Sequence, residues 1–143
     1  MKYPMLVFVF CLLLMSCKSA TTSTKSNHVI NIYQNMQKAD TIFAVYEDSS
    51  AKPILANHDT ALNVLNRTPD NKWLIVELEP VAGGKDQVVL FYVPQQKIVT
   101  NRVVGLSDDW FFDDFSDSSK INVTNGKTSE KKYLQLNEVI SKF

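Results

Sequence analysis

Short runs of β-branched and aromatic residues, separated by turn-forming residues, constrain the fold of this chain more than any other feature. The runs lie at 41–46, 53–56, 61–65, 73–78, 88–93 and 98–104. Residues typical of turns stand between them, at 48–50, 68–71, 80–86 and 94–96. Every proline and glycine from residue 18 to residue 105 falls at the edge of a run or between two runs. This agreement predicts a mainly β, antiparallel domain of about seven to nine short strands.

The most apolar of these runs predicts the centre of the sheet. Residues 88–93 are consecutively apolar, so both faces of that strand should be covered by other parts of the protein. The run at 73–78 is similar, but Glu77 and Glu79 place its far end near water. We therefore expect 88–93 to form a central strand.

Two segments outside the β runs have the apolar spacing of helices. The first predicts a short N-terminal helix over 28–38, from the spacing of Val29, Ile30, Tyr33 and Met36. The second predicts a C-terminal helix docked on the sheet, from the stripe formed by Tyr133, Leu136, Ile140 and Phe143. Residues 133–136 also fit a strand, and both alternatives stay open for that stretch.

The N-terminal residues have the layout of an export signal. Lys2 precedes an unbroken apolar run at 5–15, and Ser16 and Cys17 follow it. A run of eleven residues is too short to cross a bilayer as a helix, which takes about twenty. A positive start, a short apolar stretch and a small residue at its end are typical of a secretory signal peptide.

The last four residues of this signal, Leu14, Met15, Ser16 and Cys17, resemble the lipobox of bacterial lipoproteins. In that family the leader is cut before the cysteine, which is acylated and becomes the first residue of the mature chain. The resemblance implies a signal peptide at 1–16, lipidation of Cys17, and attachment to the membrane without crossing it. Lys18, directly after the cysteine, is similar to the outer-membrane sorting pattern, which implies the periplasmic face of the outer membrane.

The same assignment determines how the mature chain is organised. Cys11 lies in the leader and Cys17 carries lipid, so no disulfide can form and the domain must be stable through core packing alone. Residues 17–27 form a polar, flexible tether whose last ten residues span about 17 Å on average. Residues 28–143 then form a single β-rich globular domain, which their number permits.

A second resemblance covers residues 61–104. Thr68, Pro69, Asp70, Asn71 and Lys72 precede one strand of this stretch, and a Pro-Gln-Gln-Lys turn at 94–97 precedes a later strand. This arrangement looks like one four-stranded blade of the bacterial propeller-type repeats. A closed propeller needs at least about four blades, and a chain of this length has room for about two to three. The resemblance therefore implies a partial propeller, and a sandwich-like fold is the alternative.

Carboxylates and aromatic rings alternate in an unusual segment at 108–117, which has three interpretations. It could bind calcium, although the glycine that turns a calcium loop is missing. It could be a partner-binding patch, because aromatic residues dominate interface hot spots and acids steer a basic partner. It could also be a core strand between acidic turns. The candidate partner-binding residues are Asp108, Asp109, Trp110, Phe111, Phe112, Asp113 and Asp114.

Sequence motifs of catalysis are absent from this chain. It has no Gly-rich phosphate loop and no nucleophile elbow, and its two histidines have no metal-ligand spacing. Fifteen basic and fifteen acidic residues cancel, which gives no general attraction to nucleic acid. We therefore expect no catalytic residue, no metal and no cofactor.

The expected function is that of a non-enzymatic binding or structural module, lipid-anchored in the cell envelope, with a protein partner there. The alternative is an inhibitor or immunity protein that blocks a cell-wall-degrading enzyme or a toxin. The sequence leaves the oligomeric state open.

Overall fold

The computed structural model describes residues 28–35 and 37–143, and it is mainly β, as predicted. Within these residues, ten strands form three antiparallel sheets, and one short α-helix follows the last strand. The predicted signal peptide at 1–16, the predicted lipidation site Cys17 and the predicted tether at 17–27 lie outside the described residues.

Each sheet is built from strands that follow one another in the chain. The first sheet contains β1 (Val29–Asn35), β2 (Lys38–Tyr46) and β3 (Ala51–Ala56). The middle sheet contains β4 (Thr60–Arg67), β5 (Trp73–Pro80), β6 (Gln87–Tyr92) and β7 (Lys97–Val99). The third sheet contains β8 (Trp110–Asp117), β9 (Lys120–Asn125) and β10 (Lys131–Gln135), and α1 (Leu136–Ile140) follows it.

The predicted N-terminal helix over 28–38 is wrong, because most of this segment is strand β1. Val29 and Ile32 are buried, whereas Ile30 and Tyr33 are exposed, so burial does not follow the predicted stripe. Backbone pairing with β2 satisfies the polar groups on one side of the segment, which is an edge strand. A helix of this length without caps would be marginal, whereas the strand gains hydrogen bonds from a paired neighbour.

Two other boundaries differ from the expectation. The predicted run at 98–104 ends as a strand at Val99, because the chain turns there and the N–H of Leu106 donates to the carbonyl of Asn101 at 2.9 Å. The C-terminal stretch divides between the two alternatives, with strand β10 followed by α1. Tyr133 therefore belongs to a strand and is exposed, while Leu136 is buried in the helix.

The middle sheet is buried on both faces and separates two apolar cores. The core shared with the first sheet contains Leu62, Leu74, Val76, Val89 and Phe91, packed with Ile32, Ile42, Ala44 and Ile54. The core shared with the third sheet contains Trp73, Ile75, Leu90 and Val99, packed with Trp110, Phe112, Ile121, Val123, Leu136 and Val139. The central position predicted for 88–93 agrees with this arrangement, since β6 is an inner strand of the sheet. The first and third sheets therefore lie on opposite sides of the middle sheet.

The turn at 68–72 fixes the start of β5. Thr68 is fully buried, and its hydroxyl accepts a hydrogen bond from the N–H of Trp73 at 3.1 Å and donates to Asp70 at 2.7 Å. Partial burial raises the pKa of Asp70, but hydrogen bonds from Thr68 and Lys72 outweigh it, so the pKa lies below its usual value. Asn71 adopts φ of 55°, a left-handed conformation that asparagine tolerates.

Candidate functional site

The acidic and aromatic segment at 108–117 forms strand β8 and the turn before it. Trp110 and Phe112 point into the core and are 8% and 3% exposed. Phe111, between them, points outward and is 47% exposed. The core-strand interpretation therefore describes Trp110 and Phe112, whereas Phe111 remains on the surface.

A β-bulge in β8 places two carboxylates side by side on the outer face of the third sheet. Phe112 pairs with Val123 and Asp114 pairs with Asn122, so Asp113 is the extra residue of the bulge. The side-chain amide of Asn122 donates to Asp114 at 2.7 Å, and the hydroxyl of Thr124 donates to Asp113. Bulges often re-aim side chains at functional sites, and this bulge adds a second carboxylate to the face.

Strand β10 contributes a lysine and a tyrosine to the same face. Lys131 pairs with Thr124, and Tyr133 pairs with Asn122 and is 59% exposed. The Nζ of Lys120 lies 5.3 Å from the centre of the Tyr133 ring. We call this surface the third-sheet face, and its residues are Phe111, Asp113, Asp114, Asn122, Thr124, Lys131 and Tyr133. A shallow depression of about 850 Å³ is lined mainly by these residues.

The exposed Phe111 ring is held in place by the turn between β9 and β10. A Cβ at Gly126 would overlap the Phe111 ring, so only glycine allows this close approach. The N–H of Gly126 donates to the carbonyl of Asp109 at 2.8 Å, and Lys127 forms an ion pair with Asp109 at 2.9 Å. Phe111 therefore packs over Gly126 while staying half exposed, and this contact restricts the ring before a partner binds.

Four of the five aspartates of this segment, Asp109, Asp113, Asp114 and Asp117, form hydrogen bonds or an ion pair within the protein. The side-chain hydroxyl and the N–H of Ser119 each donate to Asp117 at 2.6 Å, and these bonds lower the pKa of Asp117. Asp108 is exposed in the turn before β8. Across the described parts of the chain, no three His, Cys, Asp or Glu side chains are grouped as metal ligands. The arrangement of these side chains therefore gives no support to the calcium interpretation of the segment at 108–117.

A histidine and a carboxylate form a pair elsewhere, near the start of β2. The Nδ1 of His58 lies 2.9 Å from Asp40, and this hydrogen bond, with a smaller contribution from Thr41, lowers the pKa of Asp40. Such a pair forms two members of a catalytic triad. Among residues 28–35 and 37–143, no hydroxyl or thiol is bonded to the other ring nitrogen of His58, which is a solvent-exposed side chain. The pair therefore links strand β2 to the turn before β4.

Comparisons of the chain with family models, with curated proteins and with solved structures find no match. No helix in the described part of the protein has the length and apolar character needed to cross a membrane.

The different burial of two neighbouring rings on β8 leads to a stability prediction. Trp110→Ala should lower the free energy of unfolding by about 3–5 kcal/mol, because it removes a ring from the core. Phe111→Ala should lower it by about 1 kcal/mol or less, because the ring is half exposed. Urea denaturation followed by circular dichroism measures both values. Equal losses for the two variants would contradict the placement of these rings.

Proposed function

We propose that this protein is a non-enzymatic binding module of the bacterial cell envelope, anchored by lipid on Cys17, and that the third-sheet face binds a protein partner. The observation that carries the proposal is the exposed ring of Phe111, packed over Gly126 beside the paired carboxylates of the bulge. Exposed aromatic residues that are already ordered are typical centres of protein interfaces.

The chemistry of the face favours a protein over an ion or a nucleic acid. Asp113 and Asp114 on β8 and Lys131 on β10 line the same depression, so the face presents charges of both signs around two rings. Mixed charges at the rim select and orient a partner, while the rings of Phe111 and Tyr133 provide apolar contact area. A nucleic-acid surface would instead carry a basic excess.

The proposed location follows from the N-terminal residues. Leu14, Ser16 and Cys17 match the lipobox pattern, and the polar stretch after Cys17 separates the domain from the anchor. Lys18 favours sorting to the outer membrane over retention in the inner membrane. The domain then lies in the periplasm, where its partner is an envelope protein.

An inhibitor or immunity protein is the narrower alternative, in which the partner is a cell-wall-degrading enzyme or a toxin. In that role, the acidic and aromatic segment at 108–117 is the candidate for contact with the enzyme's cleft. This segment is part of a paired strand, so an inhibitor would have to cover a cleft with the third-sheet face. Loss of a captured enzyme's activity on peptidoglycan would identify this alternative.

Replacement of the lipidated cysteine tests the anchor. Cys17→Ser should abolish labelling by fatty acid and leave the leader uncut, so that the protein runs as the larger precursor on gel electrophoresis. Cys11→Ser is the matched control, because Cys11 lies in the leader, and it should be processed like the wild type. The anchor assignment fails if Cys17→Ser is processed and labelled like the wild type.

Removal of the two exposed rings tests the binding face. The combination of Phe111→Ser and Tyr133→Ser should weaken binding of the partner captured from solubilised envelopes at least about tenfold, as expected for hot-spot rings. Isothermal titration with the purified partner measures the change. Leu65→Ser with Val81→Ser is the control, since both side chains are exposed apolar residues outside this face. Unchanged affinity of the first pair would refute the assignment of the face.

A further inference from the structure

The outer face of the first sheet is apolar, in contrast to the third-sheet face. Ile32, Ile42 and Ala44 are buried against the middle sheet, so the alternate residues of β1 and β2 point outward. The pairing of the three strands places five apolar or aromatic residues on that outer side, which we call the first-sheet face. They are Tyr33, Phe43, Val45, Ala51 and Pro53. The polar Asn31 pairs with Val45 at the edge of this face and accepts a hydrogen bond from the guanidinium of Arg67 at 3.0 Å.

Two aromatic rings form the centre of the first-sheet face. The rings of Tyr33 and Phe43 are stacked, with centres 5.3 Å apart and planes 13° from parallel. Tyr33 is 39% exposed, and Ile30, in a bulge of the same strand, is 51% exposed. The solvent-facing side of an antiparallel sheet usually carries polar residues. We therefore expect another molecule or a lipid phase to cover this apolar patch.

The path of the chain identifies the surface that can cover this patch. Strand β1 begins at Val29, and only the ten tether residues at 18–27 and His28 separate it from Cys17. Ten residues reach at most about 35 Å even when fully extended, so the first sheet stays within reach of the anchor's membrane. Tyrosine suits a lipid boundary because its ring is apolar and its hydroxyl can remain in water.

We propose that the first-sheet face rests on the phospholipid surface in which Cys17 is anchored. The inference depends on the proposed function, because the lipid on Cys17 provides the membrane. The lipid on Cys17 also makes the contact between the first-sheet face and the membrane intramolecular. The face can therefore stay on the lipid surface without a high intrinsic affinity for lipid.

This orientation determines where the binding face is presented. The first and third sheets lie on opposite sides of the middle sheet, and packed sheets stand about 10 Å apart. The third-sheet face is then directed away from the lipid, about 20 Å beyond the first sheet. One end of the domain therefore contacts the membrane, and the other end is free for the envelope partner.

Spin labels at two exposed positions test the orientation without disturbing either core. Ala51→Cys places a label on the first-sheet face, and Lys131→Cys places one on the third-sheet face. The lipidated protein, whose Cys17 is acylated, is reconstituted in vesicles of phosphatidylethanolamine and phosphatidylglycerol. Collisions with oxygen, which concentrates in lipid, and with a nickel chelate, which stays in water, are then measured. The oxygen-to-nickel ratio should be several-fold higher at residue 51 than at residue 131.

Ring variants provide matched controls for this measurement. Tyr33→Thr with Phe43→Thr should lower the ratio at residue 51 to the value at residue 131, whereas Phe111→Thr with Tyr133→Thr should leave it unchanged. Equal, water-like ratios at both positions in protein that sediments with the vesicles would overturn the orientation and leave the anchor intact. Protein that lacks lipid and does not sediment would overturn both proposals.

A second copy of the chain is the competing occupant of the first-sheet face. In that case, labels at residue 51 would broaden one another's spectra, and the broadening would vanish on dilution with unlabelled protein. The labels would also stay protected from collisions with the nickel chelate in Cys17→Ser protein without vesicles. Either result would overturn the membrane contact, and their absence together with a high ratio at residue 51 supports it.

Discussion

Burial of both faces of the middle sheet is the interaction on which the rest of this structure depends. Leu74, Ile75 and Val76 are consecutive residues of β5, and all three are fully buried because they alternate between the two cores. Each outer sheet within the described residues has only three strands, and such sheets are stable only when packed on one face. The middle sheet provides that packing on both sides, which suits a domain in which no disulfide is expected.

The two remaining outer faces differ in chemistry, and the proposals follow from that difference. The first-sheet face is uncharged and centred on the stacked rings of Tyr33 and Phe43. The third-sheet face carries the paired carboxylates of the bulge, Lys131 and two exposed rings. A domain with one apolar end and one polar, ordered end is suited to lie on a membrane and bind a partner at the other side.

Local signals in the sequence predicted the β class, the inner strand at 88–93 and the turn at 68–72, because apolar runs and turn residues act within a few positions. The segment at 28–38 was predicted as a helix because its spacing fits one, whereas its pairing with β2 is a contact between distant residues. The bulge at Asp113 and the contact of the Phe111 ring with Gly126 were not predictable, because both depend on the register between strands. The sequence singled out the segment at 108–117 as a candidate binding segment. It did not indicate that Lys131 and Tyr133 lie on the same face of the third sheet.

Native-state hydrogen exchange of the wild type and of Ile75→Ala tests the dependence of both outer sheets on the middle sheet. Ile75 belongs only to the core shared with the third sheet, and its loss should cost about 2–5 kcal/mol. If the middle sheet joins both cores into one cooperative unit, the amides of β2 should lose as much protection as those of β9. Wild-type protection in β2 together with lost protection in β9 would contradict the account.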